Sequence, residues 1–204
     1  MIYLDNISGT PLHAEVKQAM TSYMENGYGN PTSQHRMGDL AAEALEKARG
    51  EVAQLINANP PEVIFTSGGT ESINHAIKGV AFALADKGKH IITSNIEHQA
   101  VLRSVRMLMR LGYHVTSLPV DEHGLVDPKD VEKAITEETI LVSVMHANNE
   151  IGTLEPIAEI GQITKARGII FHSYAVASGG VIPMDVNALG VDLLSIAANQ
   201  FYGP

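Results

Sequence analysis

Three short polar clusters hold the residues of this chain best suited to chemistry. The first, Thr66-Ser-Gly-Gly-Thr-Glu-Ser72, follows an apolar β-rich run and opens an amphipathic stretch. Small residues let backbone approach a ligand, and the free N–H groups of a helix N-terminus favour a phosphate. Thr70 can add a hydroxyl. The same residue types also suit an ordinary capped turn. The second, Ile96-Glu97-His98-Gln99, offers an imidazole for proton transfer, or merely a helix cap. The third, Met145-His-Ala-Asn-Asn-Glu-Ile-Gly152, is rich in hydrogen-bonding groups, yet its composition equally fits an Asx turn.

All three clusters need elements that bring them together. Short apolar runs at Val63–Ser67, His90–Ser94, His114–Val120, Ile140–His146, Ile169–Ala175 and Asp192–Ala197 read as strands covered on both faces. Between them lie segments with helical spacing: Ala41–Leu55, Glu71–Ala85, Gln99–Leu111 and Pro156–Ala166. Strand–helix alternation predicts a three-layer α/β/α unit around a mostly parallel sheet. In such a sheet the clusters share the C-terminal edge, where ligands lie. No linker or repeat divides the 204 residues, so one domain is expected, with residues 1–15 as an N-terminal arm. The last strand is followed by only a few residues, ending at Tyr-Gly-Pro204. That leaves sheet edge for another polypeptide to cover, or marks a fragment.

Composition narrows the functional classes. The chain is 45% apolar and 18% charged, as folded proteins are. Its net charge of −9, without a Lys/Arg cluster, argues against nucleic acid. There is no membrane-length apolar run and no secretory leader in Met1–Pro11, so a cytoplasmic location is expected. The absence of cysteine excludes disulfides, thiolate metal sites and any persulfide carried on this chain, and no metal site is expected.

The clusters Leu4-Asp-Asn6, Tyr28-Gly-Asn-Pro-Thr-Ser33 with His35, Thr66–Glu71, Ile96-Glu-His98, Asn148-Asn-Glu-Ile-Gly152, Phe171-His172 and Phe201-Tyr-Gly-Pro204 follow one another in a telling order. In this order and spacing the chain resembles the cysteine desulfurases, pyridoxal-phosphate (PLP) enzymes of the class V aminotransferase fold, over essentially its whole length. The resemblance implies that Gly69 and Thr70 hold the cofactor phosphate. It also implies that His98 stacks on the pyridine ring and assists proton transfer, and that Asn149 lies near the ring oxygen.

Five positions depart from the family pattern. Gln200 stands where the resemblance implies the Schiff-base lysine, and an amide is neither nucleophile nor base. Tyr174 stands at the aspartate that pairs with the pyridinium nitrogen. Ala177 replaces a ring-contacting glutamine, while Ala197 and Asn199 replace a phosphate-binding serine and histidine. None of the eight lysines offers a clear substitute. The family's small C-terminal domain and its cysteine-bearing loop have no counterpart here.

The resemblance with these losses predicts that PLP is not bound, with Tyr174 taking space the cofactor would need. It predicts a non-catalytic protein that docks an iron–sulfur scaffold or a sulfur acceptor, as a homodimer or with a complementing C-terminal chain. Two other readings stay open: an active PLP-dependent desulfurase completed by another chain, and a truncated remnant without function.

Overall fold

A computed structural model describes residues 2–204. Five strands form one sheet: β1 His90–Ser94, β2 His114–Leu118, β3 Thr139–Ser143, β4 Ile170–Tyr174 and β5 Leu193–Ser195. Their order is β2-β1-β3-β4-β5 and every pairing is parallel. Seven helices accompany them: α1 Ala14–Asn26, α2 Arg36–Ile56, α3 Gly69–Ala83, α4 Gln99–Arg110, α5 Pro128–Ala134, α6 Ile157–Arg167 and α7 Val186–Leu189. The chain therefore has the expected α/β architecture.

Strand alternation divides the core. Ile91, Leu141 and Ile170 face α3 and α4, packing against Ile73, Ile77, Val101, Val105 and Leu108. Their neighbours Ile92, Val142 and Phe171 face the opposite layer and meet Val131, Ile157 and Ile160 of α5 and α6. β1 and β3 are buried along their whole length, as a sheet covered on both faces requires.

Three sequence expectations change. Val63–Ser67 is not a strand. It has no pairing partner among the described residues: the Val63 N–H donates to Pro60 O, its carbonyl accepts from Arg49, and Ile64 and Phe65 are largely exposed. β-propensity without a neighbouring strand does not make a ladder. The N-terminal arm ends before residue 15, because His13 caps α1 by accepting from the Glu15 N–H, and the helix starts at Ala14. Pro156 is the cap of α6 rather than its first residue. β1 has the expected bounds His90–Ser94, while β2, β3, β4 and β5 end sooner than their apolar runs suggest. α1 has no buried residue and α2 buries only Gly38 and Ala53, so both lie loosely outside the core. No helix among the described residues is long and apolar enough to cross a membrane.

Candidate functional site

The sheet order reverses between β1 and β3. The chain goes from β1 to β2 on one side, then returns to place β3 on the other. A crevice opens at the C-terminal ends of strands at such a switch point. His98 follows β1 and Asn149 follows β3, so the second and third polar clusters flank that crevice. They are joined directly: Asn148 Nδ2 donates to Ile96 O at 3.0 Å, and the Met145 N–H donates to Glu97 Oε1 at 2.7 Å.

His98 caps α4. Its Nδ1 accepts the Ala100 N–H at 3.1 Å, which leaves the ring proton on Nε2. Burial holds its pKa below the ordinary value, so the ring is neutral at pH 7. Against it lies Tyr174, at the end of β4. The two rings stack with centroids 5.0 Å apart and planes 12° from parallel. Tyr174 is almost fully buried, and burial, reinforced by the nearby Glu97 carboxyl, pushes its phenol up to about 12.

Glu97, next to His98 in the chain, is close enough to Tyr174 to act on its phenol. Its Oε1 accepts from Met145 N–H and from Ser94 Oγ, while Oε2 is buried without a partner among the described residues. Desolvation pushes its carboxyl up to about 8 against those hydrogen bonds, so it is protonated at neutral pH. Sequence reading assigned Glu97 no part. The available signal was a carboxylate wedged between an apolar strand and an apolar helix face.

The glycine-rich segment reaches the same edge from α3. Gly68, at φ 150°, precedes the helix, and Thr70 is exposed in its first turn. A Cβ added at Gly69 would meet Val176 Cγ2 at 2.8 Å and the Ala197 methyl at 3.8 Å. The helix start is therefore closed over by apolar groups on the side facing the sheet. The nearby Ser67 N–H is already taken by the Glu71 carboxylate.

Behind it runs a hydrogen-bond chain that the sequence did not announce. Ser72 Oγ donates to Ser195 Oγ at 2.8 Å. Ser195 Oγ lies 3.0 Å from His172 Nε2, and His172 Nδ1 lies 2.9 Å from Ser143 Oγ. These residues come from one helix and three strands, and no local spacing connects them. Burial pushes His172 down to about 4, so it stays neutral and serves to join its neighbours.

Gln200 does not point at this cluster. Its Nε2 donates to Ile7 O at 2.8 Å. Around it the arm is stitched to the chain end: the Thr10 N–H donates to Asn199 O, the Tyr202 N–H to Thr10 Oγ1, and the His13 N–H to Tyr202 O. In the third cluster the Asx turn is made by Asn148, whose Oδ1 accepts the Glu150 and Ile151 N–H groups. Asn149 is half-buried with no side-chain hydrogen bond among the described residues. The site residues read from sequence are thus gathered at one edge, except that Gln200 turns toward the arm.

The family model for class-V aminotransferases matches residues 2–204. The chain belongs to that family. Within it, the chain is similar to cysteine desulfurases. It is 55% identical over 203 residues to the cysteine desulfurase IscS of Dictyoglomus turgidum, covering all of this chain and 52% of that one. It is 50% identical to IscS of Methanosarcina thermophila, covering 50% of it. Among solved structures, "SspA in complex with cysteine" superposes over the whole chain with a TM-score of 0.97 at 36% identity, and a NifS-like protein with 0.96 at 40%. This chain covers 59% and 56% of those two. It therefore spans about half the length of the curated relatives it matches, and its fold is the corresponding part of the class-V fold.

Proposed function

We propose that this chain is a non-catalytic cysteine desulfurase-like protein that acts as a docking partner in iron–sulfur or sulfur-carrier assembly. It comprises part of the PLP-transferase large domain. The observation that carries the reading is Tyr174 stacked on His98. By resemblance, His98 is the residue on which the cofactor ring would lie, and here its face is covered by a phenol. The residues do not fit PLP in other ways. Gln200 supplies no imine nitrogen and is spent on Ile7 O. Tyr174 supplies no carboxylate for the ring nitrogen. Ala197 and Asn199 stand where the resemblance implies a phosphate-binding serine and histidine. Gly69, Thr70 and Asn149 are then vestiges of the family site.

Its partner is an iron–sulfur scaffold or sulfur-acceptor protein, and the chain acts as a homodimer or with a complementing C-terminal polypeptide. The competing reading, an active desulfurase, draws on the names of relatives at 50–55% identity. Native mass spectrometry after purification in the presence of PLP separates the two, alongside an assay for alanine released from L-cysteine. The expected result is a 21.9 kDa chain, alone or with a protein partner, with no PLP mass and no alanine. A PLP adduct, or alanine above the protein-free rate, would overturn the proposal.

A further inference from the structure

Two glutamates at the crevice are buried, Glu97 at 5% and Glu155 at 6% exposure. In each, one carboxyl oxygen is held and the other is not. Glu97 Oε1 accepts from the Met145 N–H at 2.7 Å and from Ser94 Oγ at 3.0 Å, and Glu155 Oε2 accepts from the Val126 N–H at 2.9 Å. Glu97 Oε2 and Glu155 Oε1 are buried without a partner among the described residues. Both glutamates are fastened to consecutive residues of the chain leaving β3. Met145 donates to the Glu97 carboxyl, and the Glu155 N–H donates to His146 O at 3.0 Å. Glu97 arrives from the turn after β1, and Glu155 closes the loop that carries Asn149. Asn148, in the same loop, holds that turn through Ile96 O.

The charges that act on the pair are acidic. The Glu155 carboxyl acts on Glu97, and Asp121, from the loop after β2, acts on Glu155. Tyr174 faces Glu97 from β4, and burial keeps its phenol neutral. His98 and His146, beside the pair in the chain, are held neutral by burial as well. No lysine or arginine forms an ion pair with either glutamate among the described residues. A buried carboxylate without a cation is disfavoured, so the closed arrangement accepts both groups only in their protonated form. A glutamate that loses its proton must reach water. To do so, Glu97 lets go of Met145 and Ser94, and Glu155 lets go of Val126. The first movement loosens residues 94–98, which carry His98, and the second loosens the 146–155 loop.

We infer that Glu97 and Glu155 form a proton-held latch across the crevice: protonated, they lock the turn after β1 to the 146–155 loop, and mildly alkaline solution releases both and uncovers His98 and Tyr174. Burial raises the Glu97 carboxyl from 4.5 to about 8, against its hydrogen bonds, and burial raises Glu155 too. Below pH 4.5 the latch holds in full. Above it, each pH unit weakens the closed state until Glu97 titrates near 8. His98 and His146 titrate below this window and Tyr174, at about 12, above it. The latch is independent of PLP and of the docking role, so the measurements above and the one below fail separately.

Hydrogen–deuterium exchange of the full chain at pH 6.5 and 8.5, corrected for intrinsic rates, reads the latch. Residues 94–100 and 145–156 should lose protection about twentyfold between the two, at roughly tenfold per pH unit up to the titration of Glu97. β3 and the buried face of α3 should keep theirs. Glu97→Gln should abolish the pH response of residues 94–100. Glu155→Gln removes the acidic neighbour that raises Glu97, so the response of that turn should persist and begin at a lower pH. The downward shift separates a coupled pair from glutamines that merely disturb packing. Circular dichroism checks that both variants fold; should Glu97→Gln fail to, the wild-type and Glu155→Gln profiles decide. Unchanged corrected protection in the wild type would overturn the inference. So would an equal loss across β3 and α3, a full pH response surviving in Glu97→Gln, or an unshifted response in Glu155→Gln.

Discussion

Replacing Glu97 by Gln should change how stability depends on pH, and the structure fixes both the sign and the window. The Glu97 carboxyl titrates near 8 in the folded chain against an ordinary value of 4.5. Its neutral form is the one the fold accepts. Stability from this group is therefore complete below pH 4.5 and is lost as pH rises toward 8. His172 has the opposite sign: its pKa falls from 6.5 to about 4, so stability is lost as pH drops from 6.5 toward 4. His90, His98 and His146, all shifted downward by burial, act in the same direction as His172. The two effects oppose each other below pH 6.5 and separate above it. Between pH 6.5 and 8 Glu97 removes about 2 kcal/mol, at roughly 1.4 kcal/mol per pH unit, and Glu155, whose carboxyl burial also raises, acts in the same direction. Glutamine keeps an oxygen for Met145 N–H and Ser94 Oγ but places an unpartnered amide where Oε2 lies, a fixed cost of about 1–3 kcal/mol. The slope, not the absolute stability, is therefore diagnostic. Urea unfolding followed by far-ultraviolet circular dichroism at pH 5.5, 6.5, 7.25 and 8 should show the wild type weakening above pH 6.5. Glu97→Gln should be flatter there, and steeper than the wild type below pH 6.5. Parallel curves for the two proteins would refute the assignment of a neutral buried Glu97.

Ser195→Ala should cost about 1–3 kcal/mol in urea unfolding, because it strands the buried His172 Nε2 and removes the acceptor of the half-buried Ser72 Oγ. An unchanged midpoint would show that the chain of hydroxyls is not coupled. Gln200→Ala should speed amide hydrogen exchange across residues 7–13 while leaving β1, β3 and β4 as protected as before, since Gln200 holds the arm and not the sheet. Faster exchange in the strands instead would place Gln200 in the core.

The periodicity of the apolar residues carried most of the fold. Runs such as His90–Ser94 and Ile140–His146 read as doubly covered strands, and the Gln99–Leu111 segment shows its buried stripe openly. Val63–Ser67 marks the limit, because local β-propensity cannot say whether a neighbouring strand is present. The convergence of Gly69, Thr70, His98 and Asn149 followed from parallel strands ending at one edge, so motif position sufficed. What the sequence by itself determined is chemical: which groups exist at those positions, and that Gln200 is an amide with no imine chemistry. Only the tertiary structure decided how the groups are used. Tyr174 and His98 stack although 76 positions separate them, Glu97 is neutral because no solvent or cation reaches its Oε2, and Ser143, His172, Ser195 and Ser72 join across three strands and a helix. Contacts and desolvation are properties of packing, and packing pairs residues that no local pattern in the chain connects.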